Sequence, residues 1–119
     1  YTQLVSNGLI TNDQTIDQSP EVVRGLVRAF LRGLEDTLAD PDAAFAIARS
    51  AIPEMDDATA VLQRAVLDEC LNYWRSDAPG MSDPAAWAES VTLLRALSLI
   101  SAEVDPTTLY TNDFVAEPK

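Results

Sequence analysis

Ser19-Pro20-Glu21-Val22-Val23-Arg24-Gly25-Leu26-Val27-Arg28-Ala29-Phe30-Leu31 is the stretch that decides the fold class. Ser19 is a good helix N-cap, and Pro20 at the first helical position gives up an N–H that would have no partner there. Glu21 sits at the positive end of the helix dipole. Val22, Val23, Leu26, Val27, Phe30, Leu31, Leu34 and Leu38 then recur at spacings of three and four, which predicts a helix to about Ala39 with that face turned inward. The same opening returns at Asp40-Pro41, Asp83-Pro84 and Asp105-Pro106, and a repeated Ser/Asp-Pro is a consistent start signal.

Outward from that helix the chain reads as more of the same. Ala44, Phe45, Ala48 and Ile52 share one face, and Pro53 stops the second helix. Asp56-Asp57 opens a third, with Val61, Leu62, Ala65, Val66, Cys70, Tyr73 and Trp74 on its apolar face. After Ala78-Pro79-Gly80, Asp83-Pro84 opens a fourth, with Trp87, Val91, Leu94, Leu97 and Ile100 inward. A short turn follows through Thr107-Thr108-Leu109-Tyr110. Ahead of all this, Gly8-Leu9-Ile10-Thr11 reads as a short β-strand between the turn pairs Asn7-Gly8 and Asn12-Asp13. The predicted fold class is mainly α, four helices plus a short N-terminal strand. Residues 1–18 form one segment and residues 19–119 one incomplete helical domain. A lone strand leaves its backbone donors and acceptors unpaired, so either it stays irregular, or its partner lies on another chain, or, as the favoured reading, its partner belongs to residues outside this sequence. A chain that opens on Tyr1 also fits a processed or excised product.

Composition removes several function classes. The 119 residues carry 8 Lys+Arg against 19 Asp+Glu, a net charge of −11 and a pI near 4.1. No basic footprint exists to neutralise phosphates, which argues against nucleic acid and against anionic lipid. No apolar run approaches the roughly 18 residues of a membrane span. Without His there is no imidazole acid–base chemistry and no Ser-His triad, and one Cys forms no internal disulfide. The carboxylate pairs Glu35-Asp36, Asp56-Asp57 and Asp68-Glu69 are sequence neighbours, which do not face each other on a helix. No catalytic residue, metal ligand or cofactor site is assigned.

The stretches Gly8-Leu9-Ile10-Thr11-Asn12-Asp13 and Ser19-Pro20-Glu21-Val22-Val23-Arg24 resemble bacterial solute-binding proteins that deliver thiamine pyrimidine precursors, alkanesulfonates, nitrate and similar solutes to ABC transporters. Phe30-Leu31-Arg32-Gly33-Leu34-Glu35, Asp40-Pro41-Asp42-Ala43-Ala44 and Met81-Ser82-Asp83-Pro84 with Trp87 are similar to the same family. Leu109-Tyr110-Thr111-Asn112-Asp113-Phe114-Val115 is similar to the C-terminal signature of its pyrimidine-precursor branch. The resemblance implies the C-terminal part of a two-lobe α/β type II periplasmic binding protein. In it, residues 1–18 are the returning strand and hinge segment, and residues 19–119 belong to lobe one. It further implies a non-enzymatic, periplasmic or extracytoplasmic parent, open as to lipid anchoring, with a small-molecule solute and an ABC permease as partners.

Five constellations are weighed on this basis. Ser6, Asn7 and Gly8 are the candidate ligand-binding residues: Asn offers a donor and an acceptor, and Gly lets the backbone approach closely. A plain turn is the alternative. Arg24, Arg28 and Arg32 read as an anion or docking stripe, or as a solvated face paired with Glu21 and Asp36. Gly25, Ala29 and Gly33 read as a close-packing stripe. Trp74, Trp87 and Tyr73 offer an aromatic pocket for a flat heterocycle, or Trp74 and Trp87 fasten the third and fourth helices together, which is the favoured reading; Cys70 reads as a buried structural thiol. A dimer through an exposed strand edge is a further expectation. The competing function is a stand-alone acidic helical module that binds another protein.

Overall fold

The computed structural model describes residues 4–5 and 7–115. Among them are five α-helices: α1 (Asp13–Gln18), α2 (Pro20–Ala39), α3 (Pro41–Ser50), α4 (Asp57–Trp74) and α5 (Pro84–Ala96). A 3₁₀ turn, Pro106–Thr108, follows. The described residues group into two compact units. One holds those up to Val27 and from Gly80 on; the other is Arg28–Pro79.

Helix starts follow the capping rule. Asp40, Asp56, Asp83 and Asp105 each turn a carboxylate oxygen onto a backbone N–H of the first turn: Ala43 at 3.0 Å, Thr59 at 2.7 Å, Ala85 at 2.8 Å and Thr107 at 2.9 Å. Each satisfies one of the orphan donors at a helix N-terminus. Pro41, Pro84 and Pro106 sit in the first turns of their helices. Ser19 serves two helices through its backbone. Its N–H donates to Thr15 O at 2.9 Å and closes α1, while its carbonyl accepts from Val22 and Val23 and opens α2.

The predicted strand at Gly8-Leu9-Ile10-Thr11 does not form. These residues have no regular structure, and Leu9 and Ile10 are 47% and 97% exposed. A strand exists only through a ladder, and among the described residues no extended segment lies alongside to supply one. The strand edge expected to drive dimerisation is therefore absent from the described residues. The chain turns instead into α1, where Asn12 Oδ1 accepts from the Thr15 N–H at 2.8 Å and its hydroxyl at 2.9 Å. Asn12 reads as a turn residue because Asx turns and N-caps share the same short side chain.

Other expectations shift as well. Only Ala60, Leu71 and Val91 are buried hydrophobics among the described residues. Val22, Leu26 and Phe30, predicted to face inward, are all more than half exposed. Helix α5 stops at Ala96 rather than running on through Leu97. Ser98 adopts a left-handed conformation (φ 58°), its N–H donates to Arg95 O, and the Leu99 N–H reaches back to Leu94 O, both at 2.9 Å. That is a Schellman ending, and it leaves Leu97 exposed. Cys70 is half-buried rather than enclosed.

The small-residue stripe is not a close-packed contact. A Cβ built at Gly25 or Gly33 would meet nothing within 4 Å. With no neighbour to accommodate, Gly33 keeps only its helix-interior entropy cost. Gly33→Ala should stabilise the chain by about 0.8–1 kcal/mol; a urea titration with an unchanged slope and a higher midpoint would show it, and a loss would restore the close-packing reading.

The capping carboxylates also set an acid limit. Hydrogen bonds from the Thr59 backbone and hydroxyl hold Asp56 below its ordinary value of 3.8. The Thr107 backbone and hydroxyl do the same for Asp105. A carboxylate whose folded pKa is depressed adds stability that is complete above the unfolded value and fades as pH falls through the folded one. Circular dichroism should therefore show helix loss beginning below about pH 4, and Asp56→Asn with Asp105→Asn should weaken that dependence, since the amide oxygen caps without titrating.

Candidate functional site

Two constructions stand out, one in each compact unit. In the unit containing α5, the helix is held by three separate polar or aromatic contacts. The Ser82 N–H donates to Asn112 Oδ1 at 2.8 Å, and Asn112 Nδ2 donates back to the Ser82 carbonyl at 3.1 Å. The asparagine thus uses donor and acceptor together on the N–H and C=O of one residue, as a paired strand would. One turn further along, Trp87 stacks on Tyr110 with centroids 5.7 Å apart and planes 11° from parallel. Ser90 Oγ accepts from the Val5 N–H at 3.0 Å and donates to Ala86 O at 2.7 Å.

The segments around Ser82 and Asn112 thus meet in space. Both were singled out in the sequence as resemblances, and their contact is a structural clasp over the start of α5. The aromatic partner of Trp87 is Tyr110, a pairing the spacing of helices did not suggest. Phe114 carries the Arg24 guanidinium 5.6 Å from its ring centroid, a cation–π distance.

In the Arg28–Pro79 unit, α3 and α4 enclose an open cleft of about 420 Å³ lined by Phe45, Arg49, Asp57, Ala60, Val61 and Arg64. Its two guanidiniums are already engaged. Arg49 of α3 pairs with Asp57 of α4, and Arg64 of α4 pairs with Asp42 of α3, so each helix supplies one cation and one anion. Arg64 Nε also bonds Asp68 at 3.0 Å. The hydrogen bonds that Arg64 donates to Asp42 and then to Asp68 raise its pKa above the ordinary value. This reciprocal pairing links α3 to α4 and leaves no free charge in the cleft to draw an anion.

The sequence candidates are distributed unevenly. Asn7 stands in a bend, and Asn7 and Gly8 are exposed, two and three residues beyond the Val5 anchor on Ser90. Ser6 lies outside the described residues. Of the arginine stripe, Arg24 pairs with Glu21 at 3.2 Å as expected. The expected Arg32–Asp36 pair is not formed. Among the described residues no group of His, Cys, Asp or Glu converges to hold a metal ion, and no helix is long and apolar enough to cross a membrane.

Residues 1–44 match the family model described as NMT1/THI5 like. Over 117 residues the chain is 42% identical to the riboflavin-binding protein RibY of Chloroflexus aurantiacus, an alignment covering 94% of this chain and 33% of RibY. The chain thus spans about a third of the length of the curated relative it matches. No solved structure matches it. The two matches bear out the resemblance read from the sequence: the chain is similar to part of a solute-binding protein of the NMT1/THI5 type.

The clasp gives a direct test. Asn112→Ala removes the partners of both half-buried backbone groups of Ser82, so it should cost about 1–3 kcal/mol; chemical denaturation followed by Trp fluorescence would register it, and a midpoint equal to that of the unsubstituted chain would contradict the clasp.

Proposed function

We propose that this chain is the C-terminal portion of an extracytoplasmic solute-binding protein, a non-enzymatic module that captures a small molecule for import through an ABC permease. Riboflavin leads the solute candidates, ahead of the pyrimidine-like and sulfonate compounds that the family resemblance implies. The observation that carries this reading is the 42% identity to a riboflavin-binding protein over 94% of the chain. In the whole protein the reading has two α/β lobes closing on the solute by a hinge motion. Residues 1–18 are then the hinge-side segment, residues 19–119 belong to lobe one, and Ser6, Asn7 and Gly8 are the ligand contacts. The exposure of Asn7 and Gly8 supports this, because ligand contacts must be reachable from solvent before closure.

Exposed apolar side chains support the same reading. Leu62, Val66 and Tyr73 lie on one stripe of α4 at 63%, 48% and 84% exposure. Apolar stripes of this kind are unusual on a free surface and mark packing faces. A solute-binding protein of RibY's length has the additional polypeptide to cover them. The stripe also favours the competing reading, in which a stand-alone acidic module docks on another protein.

Thermal shift and flavin fluorescence on the full-length protein separate these readings. Riboflavin at a hundred times its Kd should stabilise it by about 2.7 kcal/mol and lose its emission on binding, whereas the 119-residue chain alone should do neither. Failure of riboflavin, pyrimidines and sulfonates alike, with the isolated chain monodisperse, would overturn the transport reading in favour of the docking module.

A further inference from the structure

We infer that Asn7 is a site of spontaneous deamidation, converting to aspartate and isoaspartate while the chain is folded. The sequence has four asparagines: Asn7, Asn12, Asn72 and Asn112. Three of them are restrained. The Asn12 side chain caps α1 through two hydrogen bonds from Thr15. Asn72 lies inside α4, where the following N–H is committed to the helix. Asn112 is clasped to Ser82 through both its amide atoms.

Asn7 differs in each respect. It is followed by Gly8, it stands in a bend, and both residues are exposed. Among the described residues no hydrogen bond holds its side chain, and a Cβ at Gly8 would meet nothing within 4 Å. Glycine's freedom in φ and ψ lets its nitrogen reach the side chain before it. In the reaction the deprotonated Gly8 backbone nitrogen attacks Asn7 Cγ. The new N–Cγ bond closes a five-membered imide, the Cγ–Nδ2 bond breaks, and the nitrogen leaves as ammonia with the proton it gains. Water then adds to either imide carbonyl. Opening on one side gives aspartate; opening on the other gives isoaspartate, which carries the main chain through the former side chain. Nothing is oxidised or reduced, and water is the one co-reactant.

The product adds a negative charge beside Gly8, and the iso form adds a methylene to the backbone two residues after the Val5 bond to Ser90. This chemistry is independent of what the chain binds. Warm incubation of the whole chain at mildly alkaline pH, followed by peptide mass analysis, measures it at all four asparagines. The Asn7 peptide should gain roughly 1 Da as NH is exchanged for O, asparagine being a thermolabile residue. It should do so fastest of the four, at a rate within a few-fold of that in urea, and Gly8→Ala should slow it several-fold. An Asn7 rate no faster than that of Asn12 or Asn112, or one an order of magnitude lower in the folded chain than in urea, would overturn the inference.

Discussion

Asp40, Asp56, Asp83 and Asp105 each place a carboxylate oxygen against the first turn that follows, and the positions of the helices depend on that contact. A helix N-terminus has donors that its own backbone cannot satisfy. A short side chain with an acceptor oxygen ends that deficit at a definite residue, and a proline immediately after discourages a start further upstream. Because the same device recurs, helix boundaries are settled locally, with little burial behind them. Three of these aspartates stand before a proline, so part of the acidity of the chain has a mechanical origin.

The α5 unit shows how tertiary structure is added to those local decisions. Asn112 imitates a neighbouring strand by bonding both the N–H and the C=O of Ser82, Tyr110 covers Trp87, and Ser90 holds Val5. The contacts come from both sides of α5 in sequence, so the helix is the common element on which the segments 4–5 and 109–115 converge. In the Arg28–Pro79 unit the corresponding work is done by charge, with α3 and α4 exchanging an arginine for an aspartate at each end of their contact.

Helices α2 to α5 were legible in the sequence because capping and proline act within four residues, whereas α1 was read as the turn that ends a strand. The starts at Pro20, Pro41, Asp57 and Pro84 follow from that range of interaction. What depended on distant partners was not legible. The strand at Gly8-Leu9-Ile10-Thr11 has the right residues and no ladder. Val22, Leu26 and Phe30 have helical periodicity, yet periodicity marks an apolar face without saying what covers it. The Asn112–Ser82 clasp joins residues thirty apart, and only the family resemblance of the two segments hinted that they matter together. For the candidate site the sequence offered Ser6, Asn7 and Gly8, of which Asn7 stands in an exposed bend beside an exposed Gly8, while the paired arginines of the α3–α4 cleft required coordinates.

The scarcity of enclosed side chains bears on the calorimetry of the chain. Heat capacity rises on unfolding in proportion to the apolar surface newly wetted, at about 12–15 cal/mol/K per residue for ordinary globular domains. With Ala60, Leu71 and Val91 as its buried hydrophobics among the described residues, this polypeptide has much of its oily surface hydrated at the outset. Its increment should fall beneath that range, giving a shallow stability curve that changes little between cold and warm.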